Sequence, residues 1–233
     1  MFKDEMTSKQ RVMTALNHKD TDRVPFSLGM GVNLPVKKAL RDYLGYKTIS
    51  EIDNYLMSFN DIISVYPEYI GPIHRNGVKA DIWGVMRENV SYGTGSYEEI
   101  SHYPLSNVRD IKELDDYEWP SSDWTDVSNI KDKISHINKE NEYAIRVNNG
   151  NIFESAWYMR GFEQMFMDLA INPELAWDIM TRVTDYFIEY FKKILDEAEG
   201  MIDIVFTADD IGSQQGMLMS LDMWEKMIKH ICH

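Results

Sequence analysis

The chain has 233 residues, 44% of them hydrophobic and 12% aromatic, which suits one large domain or two small ones with a sizeable core. Its formal net charge of −14 argues against nucleic acid and anionic membrane surfaces as partners. The single cysteine, Cys232, excludes an intrachain disulfide, and with no long apolar run or leader the expectation is a cytoplasmic protein.

Thr7-Ser8-Lys9-Gln10 has the spacing of a capping box and predicts a first helix that ends near Leu16. Val24 to Gly31 reads as a first strand that enters a glycine turn at Met30. Pro35 opens a second helix, Gly45 follows its end, and a short helix is expected from Ser50 to Leu56. Asp61 to Tyr66 is a second strand, stopped by Pro67. From Val78 to Tyr103 the alternation around Trp83 and the turn Tyr92-Gly93-Thr94-Gly95 predict a β-hairpin excursion. A helix is expected from Val127 to Asn138, a third strand from Tyr143 to Gly150, and a helix from Glu154 to Ala170. Asn172-Pro173-Glu174 then starts the strongest helix, whose apolar stripe runs to Gly200.

Ile202 to Phe206 is an apolar, β-branched run of the kind that makes a buried strand. It leads into Asp209 and Asp210, then a loop with Gly212 and Gly216, and a last helix from Ser220. Strands separated by helices predict a parallel sheet with right-handed crossovers. In such a sheet the carboxyl ends of the strands face the ligand. Two readings of the acids stand. They are site residues, whose mutual repulsion would raise one pKa, or they cap the turn and the helix that follows.

Several stretches in this order resemble the uroporphyrinogen decarboxylase superfamily, including its corrinoid-dependent methyltransferases. They are Thr7 to Val12, Asp22 to Pro25, Phe59 to Ile62, Trp157 to Glu163, Phe206 to Gly212 and Met217 to Lys229. The resemblance implies a (β/α)8 barrel, of which this chain would supply about four parallel strands with a hairpin excursion. It implies one domain, truncated near mid-barrel. An open half barrel leaves two strand edges unpaired, so a homo-oligomer is expected to cover them.

By the same resemblance Asp61 is similar to the carboxylate that holds the substrate's pyrrole NH groups, with Tyr158 beside it. Asp61 also reads as an amino-terminal cap, and Tyr158 as a core aromatic. With the site at the strand ends, Asp61, Tyr158, Asp209 and Asp210 are the candidate catalytic residues. Met30, Asn148, Glu154 and Arg160 are candidate substrate contacts. The expected ligand is a corrinoid or another tetrapyrrole-type molecule, free or on a carrier protein. Porphyrinogen decarboxylation is an alternative, but Val24 to Val36 holds no Lys or Arg to pair with an acidic substrate. A non-catalytic fragment acting in binding or assembly is the third reading. The methyltransferases bind zinc through a His-x-Cys pair and a later cysteine. His230-Ile231-Cys232-His233 falls in the helix after strand four rather than after strand five, so the zinc ligands are expected to be absent.

Overall fold

The computed structural model describes residues 5–29, 31–72, 74–75, 78–93 and 95–231, with the backbone alone for 74–75 and 78–79. By its internal packing the chain divides into two compact units. The first comprises Met1–Tyr66, Ser128–Asn148 and Glu197–Val205, and the second Pro67–Val127, Asn149–Asp196 and Phe206–His233.

The first unit is built on a parallel sheet. Strands Ile62–Ser64 and Ala144–Asn148 pair in parallel, with Ile62 opposite Ala144. Ile204–Phe206 borders the other side of Ala144–Asn148, which is therefore the middle strand. Both faces of that strand are covered: Ala144, Ile145 and Val147 are fully buried. Ile63, Val65, Ile130, Ile134, Ile145 and Ala198 form one cluster, in which each buried Ile or Val contributes about 1.5–3 kcal/mol over exposure. The capping box closes as its spacing predicts: Thr7 accepts from Gln10 N at 3.1 Å, and the Gln10 side chain accepts from Thr7 N at 3.0 Å. A second box, Thr48 with Glu51, starts helix Ile49–Met57.

Val24 to Gly31 does not become a strand of the ladder among its described residues. The segment is extended, and Phe26 O accepts Asp61 N at 2.7 Å. Side chains replace the rest of the ladder, since Asp61 Oδ2 accepts Phe26 N and Asn60 Oδ1 accepts Leu28 N, both at 2.8 Å. Pro25 has no N–H to offer a neighbour, so the run cannot pair continuously. Three strands, rather than four, make this sheet among the described residues.

In the second unit the hairpin is present as Met86–Ser91 against Ser96–His102. The single helix predicted from Glu154 to Ala170 is two, Ile152–Arg160 and Phe162–Ile171, broken at Gly161 with φ +96°. The apolar stripe of Pro173–Ala198 packs as expected, with Trp83 edge-on to Tyr186 and Phe187 at 5.0 and 5.6 Å. The last segment is Leu221–Met223 followed by a π-helical turn, Trp224–Ile228. Among the described residues no helix is long and apolar enough to cross a membrane.

Candidate functional site

Three residues beyond strand Ile204–Phe206, the Asp209 carboxylate reaches the start of helix Ile152–Arg160. Oδ2 accepts Ile152 N at 3.1 Å, and Oδ1 accepts Glu154 N at 2.8 Å. The helix's own cap position, Asn151, makes no side-chain cap bond. An acid 57 residues downstream therefore satisfies the orphan N–H groups of the first turn. Asp209 is thus a cap, though of an earlier helix than the one the sequence suggested. Asp210 is exposed, and its Oδ1 accepts Gly212 N at 3.3 Å in the following turn.

Glu154, half-buried in that first turn, is the hub of the cluster. Its Oε1 accepts the Tyr158 hydroxyl at 3.0 Å, and its Oε2 accepts Asn151 Nδ2 at 2.5 Å. The Arg87 guanidinium lies 5.2 Å from the centre of the Tyr158 ring, a cation–π contact. Asp81 holds it there, accepting Arg87 Nη1 at 2.6 Å while its other oxygen accepts the N–H groups of Trp83 and Val85.

Burial, then the charge of Glu154 and the hydrogen bond to it, push the Tyr158 hydroxyl up to about 12. At neutral pH Tyr158 is a donor, not a base. Burial also raises the Asp209 carboxyl above the ordinary range, against the backbone N–H bonds that lower it, and Glu154 adds repulsion. The acid that opposes Asp209 is thus Glu154, not its sequence neighbour Asp210.

Asp209 also borders a pocket of about 490 Å³. Its walls are mostly apolar: Phe187, Ile188 and Phe191 on one helix, Trp224 and Ile228 on the terminal segment, and Thr207 below. Gly150 is obligatory in this wall. Its φ is +94°, and a Cβ there would stand 2.7 Å from Thr207 Cγ2. The site therefore offers carboxylate acceptors and one tyrosine donor, joined through Asp209 to a mostly apolar cavity. It suits a ligand with N–H groups on an apolar frame.

The remaining candidates lie elsewhere. Asp61 is fully buried in the first unit, just before Ile62–Ser64 and so at the amino end of its strand. Its oxygens accept Arg11 Nη1 at 2.7 Å, Arg23 Nη1 and Nη2 at 2.7 and 2.9 Å, and Phe26 N. Burial alone would raise its pKa, but Arg23, Phe26 N and Ser8 together hold it below the usual range. Its acceptors are committed within the chain, and it has the place of a structural anchor, not of a group at the ligand face. Arg160 is buried too. Its Nε donates to Asp168 at 2.6 Å and its Nη1 to Leu105 O at 2.5 Å, outside the Glu154 cluster.

Asn148 ends the middle strand of the first unit. Its Nδ2 donates to Ser64 Oγ at 3.0 Å and to the Tyr66 hydroxyl at 2.6 Å, and its Oδ1 is buried without a hydrogen bond. Met30 lies outside the described residues, as do Cys232 and His233. Among the described residues no group of three or more His, Cys, Asp or Glu could hold a metal ion.

Arg87, Asp81 and Asn151 were not singled out from the sequence. Arg87 alternates along a hairpin strand like any solvated residue, and only its contact with Tyr158 sets it apart.

Parallel strands with intervening helices define an α/β protein. The sequence pattern of uroporphyrinogen decarboxylase (URO-D) matches residues 83–232, and the chain belongs to that family. The matched span includes Trp157 to Glu163 and Phe206 to Gly212, but not the three stretches before residue 83. A solved methyltransferase from Methanosarcina mazei superposes with a TM-score of 0.58 at 14% identity, over 97% of this chain and 65% of that one. That likeness is one of fold, and this chain spans less than two thirds of that protein's length. No curated protein matches in sequence.

Proposed function

We propose that the chain is a methyltransferase-like member of the family that binds a corrinoid or another tetrapyrrole-type ligand at the Glu154 cluster. The observation that carries the reading is Glu154 itself. It is held by Tyr158 and Asn151, its backbone N–H donates to Asp209, and its carboxylate retains lone pairs for ligand N–H groups. The apolar wall of Phe187, Phe191 and Trp224 would take the edge of a macrocycle, since about 490 Å³ holds a drug-sized fragment rather than a whole ring system. The absence of Lys and Arg from Val24 to Val36 weighs against porphyrinogen decarboxylation.

In the full assembly this chain would be part of a barrel, its open strand edges covered by further strands or by a second copy. Val205 and Phe206, 43% and 46% exposed on the outer strand Ile204–Phe206, support that arrangement. A corrinoid absorbs where tryptophan emits. Saturable quenching by hydroxocobalamin that is weakened by Trp224→Leu would support binding in this pocket. Quenching that rises linearly without saturation would refute it.

A further inference from the structure

A second pocket of the same unit, about 480 Å³, shares no lining residue with the first and is polar. Ser106, Arg109, Arg160, Gln164, Asp168 and Asn172 are among its lining residues. Arg160 has a side chain only 4% exposed, yet its bonds account for Nε and Nη1 alone. Nη2 makes no hydrogen bond among the described residues and is not sealed from solvent. Arg160 lines the pocket, and Nη2 is the part of its guanidinium left without an acceptor. Asp168 does not bond it: one of its oxygens accepts Arg160 Nε and the other Gln164 Nε2 at 2.9 Å.

Arg109 supplies the second cation. It is exposed, its backbone N–H donates to Glu113 at 2.8 Å, and its guanidinium has no ion pair or hydrogen bond among the described residues. In a chain of net charge −14 an unpaired arginine beside a pocket needs a reason. The third contribution comes from Asn172. Its carbonyl accepts Leu175 N and Ala176 N, so it stands at the positive end of the 26-residue helix Pro173–Ala198.

We propose that this pocket is a binding subsite for a tetrahedral oxyanion, the phosphate group of a small molecule. Asp168 neutralises Arg160 but also locks its plane, so Nη2 is presented without further loss of side-chain freedom. Arg109 adds the net positive charge from the exposed side. The inference does not rest on the corrinoid reading, since the two pockets have no residue in common.

The test is titration of the full chain with inorganic phosphate at constant ionic strength, followed by backbone amide shifts. Saturable shifts confined to residues 105–109 and 160–175 are expected, with Arg109→Gln binding at least tenfold more weakly and its free spectrum otherwise unchanged. Arg160→Lys keeps the charge but removes the fork, and should weaken binding comparably. If that variant fails to fold, Arg109→Gln alone decides. Glycerol phosphate binding as tightly as inorganic phosphate, or tighter, with sulfate weaker, would support the phosphate ester of a small molecule as the occupant. Equal binding by wild type and Arg109→Gln, or shifts scattered over surface lysines, would mean an adventitious ion only and would overturn the proposal.

Discussion

Asp209 Oδ1 accepts the backbone N–H of Glu154 at 2.8 Å, across 55 residues of sequence. The bond ties the end of one strand to the first turn of the helix that carries Glu154 and Tyr158. It aims Glu154 by fixing the backbone from which that side chain springs. Asp209→Ala should cost about 1 kcal/mol in chemical denaturation, as for other lost caps. Asp209→Asn should lose less, since its amide oxygen can still accept one of the N–H groups.

The pH dependence separates these roles. The folded chain raises the Asp209 pKa, so it binds that proton more tightly than the unfolded chain does. The stability contributed by Asp209 therefore falls as pH rises from about 3.9, its unfolded value, through the raised folded value. Wild type should lose ground to Asp209→Asn over that window, as urea midpoints at a series of pH values would show. A flat difference would mean that burial does not act on this carboxyl.

Tyr158 gives an optical readout of the same cluster. Burial first and Glu154 second push its hydroxyl up to about 12. Glu154→Gln removes a negative charge and a charged acceptor, so the tyrosinate absorbance near 295 nm should appear at lower pH than in wild type. An unchanged titration would show that Glu154 does not face the hydroxyl.

The buried carboxylate of the first unit should behave in the opposite sense. Asp61 has a lowered pKa, so its stabilisation is present above about 3.9 and is lost as pH falls toward the folded value. Asp61→Asn leaves the buried Arg11 short of a partner. It should cost about 3 kcal/mol at neutral pH, the low end for a broken buried pair because Arg23 is partly in water. The gap to wild type should close in acid.

Gly150→Ala forces a side chain into the left-handed region and against Thr207, 2.7 Å away. A loss of at least 1–2 kcal/mol is expected from the backbone alone. Thr207→Ser in the same chain should recover only the steric part, which thermal unfolding of the two variants would separate.

The fold was legible wherever local chemistry decides structure. Thr7 with Gln10, Pro35 with Gly45, and Pro173 after Asn172 mark helix ends without reference to the rest of the chain. The exceptions depend on distant partners. Val24 to Gly31 has strand residues, but Asn60 and Asp61 claim its hydrogen bonds through side chains. The stretches around Arg11, around Asp22 and Arg23, and around Asp61 stood out together as family-like. The structure joins them: Arg11 Nε and Nη2 donate to Asp22 at 2.6 and 2.8 Å, and Arg11 and Arg23 both donate to Asp61. A charged motif in sequence reads equally as anchor or as site, and here Asp61 stands at the amino end of its strand. The same ambiguity holds for Arg160, singled out as a substrate contact, whose partner lies on the next helix at Asp168. Glu154 was legible because it opens a helix just after a strand. Its opponent Asp209 could not be matched to it, since no local pattern records a contact over 55 residues.

Visible-spectrum titration with hydroxocobalamin tests the proposed binding of a tetrapyrrole-type ligand by Glu154 and its neighbours. Wild type should give a saturable spectral change, with Glu154→Gln binding at least tenfold more weakly and Arg109→Gln binding as wild type does. A saturable change of equal affinity in wild type and Glu154→Gln, or none in wild type, would contradict the account.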